Sequence, residues 1–172
     1  MDLFIKTVGN ISKACGVVAA ALVAAAVLVV CEMVVMRYFL RASTIWQTEF
    51  VTFSLVGATF IGSPYVLLVK GHVNVDLVAI WLKHRSRRTL AIIAYGISLI
   101  FSAIVAWTGF ELLHESWTEG WRTDTVWSLP LWIPYLAMPV GIGIMTLQYV
   151  ADIMAVATGR DAPFGLDSGD EA

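Results

Sequence analysis

The acids, histidines and cysteines of this chain fall in small groups at the edges of long apolar runs. Glu32 is the first. An acid inside a membrane segment is by default a candidate for proton or ion handling. About 18 apolar residues precede it, however, which puts it near an interface, where it can equally face a partner helix or headgroups. Glu49 lies near Arg37 and Arg41 across a short turn, and a local ion pair is the simplest expectation. His72 and Asp76 form a second polar group. With no third ligand at metal spacing, they read as a hydrogen-bonded turn. Glu111, His114 and Glu115 share one helical face and could bind zinc, but two carboxylates and one exposed histidine fit a solvated rim better. Cys15 and Cys31 would sit on one helix about 24 Å apart, too far to bridge.

The elements that hold these groups are membrane spans. Hydrophobic residues make up 59% of the 172 and charged residues only 14%, against about 25% charged in a soluble domain. Mean hydropathy is +0.79. Four uncharged runs stand out: Ala14–Cys31 (18 residues), Phe50–Val69 (20), Thr89–Phe110 (22) and Thr125–Ala151 (27). Roughly 20 helical residues cross a bilayer core, and helices satisfy their own backbone there. The expected fold is therefore an all-α integral membrane protein with four transmembrane helices. A four-helix domain is expected over 1–157, and a polar, disordered tail over 158–172. The N-terminal run is longer than a signal-peptide core of roughly 7–15 residues, so it reads as a retained first helix.

Residues 1–13 read as a short amphipathic lead-in to helix 1, with Lys6 and Lys13 at the headgroups. Gly16, Ala20 and Ala24 on helix 1, and Ser54, Ala58 and Gly62 on helix 2, repeat every four residues and would let another helix approach closely. On helix 3, Gly96 and Ala103 share a stripe. Thr44 with Gln47 fits a capping box. Trp46 fits an interfacial anchor, and Glu49 is placed in the first helical turn, where it complements the dipole. Pro64 should kink helix 2 and Pro139 should bend helix 4, which starts near Pro130. A short interfacial helix is expected over DLVAIWLKH, between helices 2 and 3.

Eight Lys and Arg (6, 13, 70, 83, 85, 87, 88, 160) fall on the side of the N-terminus and three (Arg37, Arg41, Arg122) on the other. The positive-inside rule then puts both termini in the cytoplasm and a tryptophan-rich belt at the outer interface. No set of nucleophile, base or metal ligands converges, so an enzyme is not expected. The histidines lie at span edges rather than within them, so no haem and no other cofactor is expected. Nucleotide-binding loops are absent, and no nucleic-acid partner is expected. A self-contained transporter needs polar or broken-helix features near the midplane, and the midplane here is aliphatic. A small proton-coupled exporter using Glu32 is the alternative. An accessory subunit, with packing faces and edge charges, fits the pattern better.

Arg37-Tyr38 ends helix 1, Trp46-Gln47-Thr48-Glu49 opens helix 2, Gly57-Ala58 follow in mid-helix, and Lys70-Gly71-His72-Val73-Asn74-Val75-Asp76 closes it. Pro134-Tyr135 and Pro139-Val140-Gly141 come later. In this order and spacing they resemble the small membrane subunit (DctQ type) of tripartite ATP-independent periplasmic (TRAP) transporters. The family's basic-Gly-X-His-hydrophobic-X-Val-Asp pattern is shorter here by one residue before the histidine, Lys70 replaces a common arginine, and Gln47-Thr48 stands where a second acid is frequent. The resemblance implies two protein partners, a large membrane permease subunit and a periplasmic substrate-binding protein, besides membrane lipids. It implies sodium-coupled uptake of organic anions, with the substrate and sodium sites outside this chain. Arg37, Tyr38, Arg41, Trp46, Glu49, His72 and Asp76 are then expected to fix a hairpin, and Ser54, Ala58 and Gly62 to pack helices. Trp117, Glu119, Trp121, Arg122 and Asp124 would form a rim for the binding protein.

Overall fold

A computed structural model describes residues 2–69, 71 and 84–158. Five helices are present among them: α1 (Asp2–Phe39), α2 (Ile45–Leu68), α3 (His84–Thr118), the single turn α4 (Trp132–Tyr135) and α5 (Ala137–Ala157). Four stretches are long and apolar enough to cross a membrane: Leu3–Phe39, Ile45–Leu68, Thr89–Thr118 and Trp132–Ala157, the last made of α4 and α5 together. The interfacial helix, the polar turn at His72 and Asp76, and the tail from 159 lie outside the described residues.

α5 is the central strut. It packs along α3 on one side and along α2 and α1 on another, and α1 and α2 form the most extensive pair. The inner face of α1 runs through Val8, Ser12, Cys15, Ala19 and Ala26, all buried. These positions step by three, four or seven, so they stay on one side of a helix. The matching face of α3 is Ala91, Tyr95, Ser102, Gly109 and Ser116. The stripes expected from spacing alone are therefore displaced. Ala20 and Ala24 are exposed, Ala103 is exposed, and nothing lies within 4 Å of a Cβ placed on Gly96. Ser54 and Ala58 are buried within the chain, and Gly62 rests against Ala19, so this face of α2 is used internally.

The expected lead-in is not a separate element, because α1 is continuous from Asp2. It closes at Arg41, whose φ of 49° is left-handed and turns the Ala42 N–H back to the Met36 carbonyl at 3.2 Å. Thr44 is the N-cap of α2, but its side chain caps nothing in that helix, so the capping box is absent. Its Oγ1 instead accepts the Arg37 Nε–H at 2.5 Å. With Ile45 as the first helical residue, Glu49 falls in the second turn rather than the first.

Pro64 and Pro139 each remove a helical N–H donor. α2 continues through Pro64. Pro64 has no N–H for the carbonyl four residues back, and Ser63 Oγ donates to that carbonyl, Phe60, at 2.8 Å. Pro139 likewise cannot donate to Tyr135. Leu136 between α4 and α5 keeps helical φ and ψ of −60° and −29°, and its N–H donates to the Trp132 carbonyl at 3.0 Å, so the two form one span.

Candidate functional site

The polar residues gather at the two ends of the helices. At the end where α1 turns into α2, the 119–131 loop folds over the start of α2. Thr123 is its hub: its N–H donates to the Leu129 carbonyl and its Oγ1 accepts the Leu129 N–H, each at 3.0 Å. The same hydroxyl donates to Glu49 Oε2 at 3.3 Å, tying the loop to α2. Trp46 meets Trp127 edge-on at 6.4 Å, and Trp117 meets Trp132 at 4.8 Å. Such aromatic pairs add about 0.5–1.5 kcal/mol beyond burial.

This arrangement revises the expected ion pair. Glu49 bonds Thr123, Arg37 bonds Thr44, and Arg41 is an exposed turn residue. The physical reason is the left-handed turn at Arg41, which brings Thr44 back within reach of the Arg37 guanidinium. The two residues still border one open cavity of about 470 Å³ with Ser43, Thr48 and Thr125. Tyr38 projects outward, 81% exposed, with its ring edge-on to Phe39.

The rim residues share this end. Trp117, Glu119, Arg122 and Asp124 are exposed and Trp121 is half-buried. Trp121 Nε1 donates to Glu119 Oε2 at 2.6 Å. Arg122 reaches the Ser128 carbonyl at 3.4 Å. A turn farther down α3, Glu111 accepts the Trp107 indole N–H at 2.9 Å.

Several groups escaped the sequence reading. Gln47, 2% exposed, donates its amide to Glu32 at 3.3 and 3.5 Å. At the opposite end Ser12 Oγ donates to Gln148 Oε1 at 2.9 Å, and Gln148 Nε2 donates to Asp152 Oδ1 at 2.8 Å. Thr146 Oγ1 lies 3.1 Å from Ser102 Oγ, joining α5 to α3. The available signal was an amide or hydroxyl inside an apolar run, since such a group needs a partner in lipid.

These ties hold helices to one another. Residues 26–159 match the family of tripartite ATP-independent periplasmic transporters, DctQ component. The C4-dicarboxylate TRAP transporter small permease protein DctQ of Vibrio cholerae is 24% identical over 148 residues, covering 74% of this chain and 64% of that one. The protein of the same name from Rhodobacter capsulatus is 25% identical over 120 residues, 69% of this chain and 52% of its own length. The isethionate TRAP transporter permease protein DctMQ of Oleidesulfovibrio alaskensis is 26% identical over 128 residues, 73% of this chain but only 20% of that protein. The chain thus spans less than two thirds of each of these relatives. With four membrane-spanning helices and a family match over most of its length, this chain belongs to the DctQ family of TRAP transporter components and is a multi-pass protein of the bacterial inner membrane.

Proposed function

We propose that this chain is the scaffold subunit of a sodium-coupled, binding-protein-dependent transporter for organic anions. It packs on a large permease subunit and helps seat a periplasmic binding protein. The charge distribution supports both termini in the cytoplasm, with eight Lys and Arg on that side and three on the other. The 119–131 loop then faces the periplasm. Relatives named for C4-dicarboxylate and isethionate transport support an organic anion, carboxylate or sulfonate, as cargo. A relative in which a similar segment fills only 20% of a longer permease supports close association with a large membrane subunit.

The observation that carries the docking role is the loop itself. It is held from beneath by Thr123 on Glu49 while Glu119, Arg122 and Asp124 stay exposed. A fixed loop with exposed charges suits a partner recognised by electrostatic complementarity, which acts mainly on association rate. Glu119→Lys with Asp124→Lys should slow association of the cognate binding protein with the nanodisc-reconstituted membrane complex by about tenfold. The yield of that complex should be unchanged. Unchanged association would remove the docking role, and transport by this chain reconstituted alone would replace the whole reading with that of an exporter.

A further inference from the structure

α1 touches its own chain along one side only. Over an apolar stretch of 18 residues in α1 just 6% are buried, against 33% for a stretch of the same length within 132–157. Opposite the buried face, Val17, Ala21, Ala24, Leu28, Cys31 and Val35 are all exposed. Their spacing alternates four and three. That 3.5-residue period keeps one line facing a neighbouring helix that crosses at about 20°. Three of the six are small, which suits close helix approach more than contact with lipid tails.

Glu32 supplies an independent constraint. It is exposed on the flank of this line, next to Cys31 and two turns before α1 ends at Phe39. Among the described residues its bonds are those from the Gln47 amide, at 3.3 and 3.5 Å. A carboxylate only accepts, so Gln47 must turn its Nε2 towards it. The Oε1 of Gln47 is left buried with no donor. Glu32 therefore presents its carboxylate at the surface, and among the described residues no cation balances it. The nearest arginine along the helix, Arg37, points its Nε–H at the Thr44 hydroxyl rather than at Glu32. Met33, Val34, Val35 and Met36 follow Glu32, so the acid sits inside the apolar stretch, where such a group is paired.

We propose that the exposed line of α1 receives a transmembrane helix of the large permease subunit, and that a guanidinium or ammonium on that helix pairs with Glu32. This rests on the scaffold reading above and names the face and the charge that make it. The unbalanced carboxylate calls for a cation, the small residues for a helix, and Gln47 holds the carboxylate that meets it.

The test uses the full transporter, with the permease co-expressed. Leu28 replaced by the photo-crosslinker benzoylphenylalanine should give an ultraviolet-induced adduct between this chain and the permease. Glu32→Lys should lower the permease retained in mild detergent about tenfold and Glu32→Gln about threefold. Both variants should reach wild-type levels in the membrane and run as a single species; if Glu32→Lys does not, Glu32→Gln carries the test. Adducts only with lipid or with a second copy of this chain would overturn the proposal, as would wild-type permease retention in the Glu32 variants. If the wild-type chain retains no permease, the scaffold reading itself fails, an outcome distinct from either of these.

Discussion

α2 crosses two helices, and the two crossings are built differently. Against α5 the contact is backbone on backbone. Pro64 frees the Phe60 carbonyl, and Gly141 sits so close to it that an added Cβ would overlap the carbonyl carbon and oxygen. Against α1 the contact is side chain on side chain. A Cβ on Gly16 would meet the Tyr65 ring at 2.5 Å, and one on Gly62 would meet the Ala19 Cβ at 3.1 Å. A groove of about 520 Å³ remains along this second crossing, lined by Ala20, Val23, Leu55 and Thr59 among others. Both crossings use glycine, yet only one has no soft partner. Tyr65 is 39% exposed and has room to swing, whereas a helix carbonyl cannot move without moving its helix.

The sharpest way to break this contrast is Gly141→Ala. Overpacking against an immovable group costs about 3 kcal/mol, which for a chain of this size lowers the melting temperature in detergent by roughly 6–12 °C. Phe60→Ala should give no relief, because the obstructing atoms belong to the backbone. A double variant that melts like the wild type would show that the Phe60 ring, and not its carbonyl, sets the spacing. Gly16→Ala should cost less, about 1 kcal/mol, since the Tyr65 ring absorbs part of the strain. Here the second change should help: Gly16→Ala with Tyr65→Ala should lie closer to wild type than the sum of the two single changes. Strict additivity would make the two crossings equivalent and remove the distinction.

How much of this was legible in the sequence follows from what marks a surface in lipid. The spans and the α1–α2 turn could be read because charge and length mark them. Helix faces could not. In water an apolar stripe marks the inside, but in a bilayer both sides are apolar and the periodicity is lost. Hence Gly16, Ala20 and Ala24 looked like one packing face, yet Gly16 packs with Ser12, Cys15 and Ala19 while Ala20 and Ala24 are exposed. The capping box failed for a different reason. Thr44 and Gln47 have the right types and spacing, but Arg37 and Glu32, neighbours only in three dimensions, take their side chains. Among the rim residues the exposure was readable, and the hydroxyl that anchors their loop, Thr123, was not.

The polar tie between α1 and α5 should be the weakest of the three contacts, although it is buried. Gln148→Leu keeps the volume near that of the amide and removes both of its bonds, to Ser12 and to Asp152. The Ser12 hydroxyl can then turn to a carbonyl of its own helix, as serines in membrane helices do. Interhelical bonds of this kind average only about 0.6 kcal/mol, because the separated helices also find partners. A melting shift of roughly 1–2 °C is expected, and Ser12→Ala added to Gln148→Leu should cost almost nothing further. A loss equal to that of Gly141→Ala would mean that α1 is held to α5 by this amide rather than by the apolar contacts around it. The contrast would then lie between polar and apolar ties, and no longer between backbone and side-chain packing.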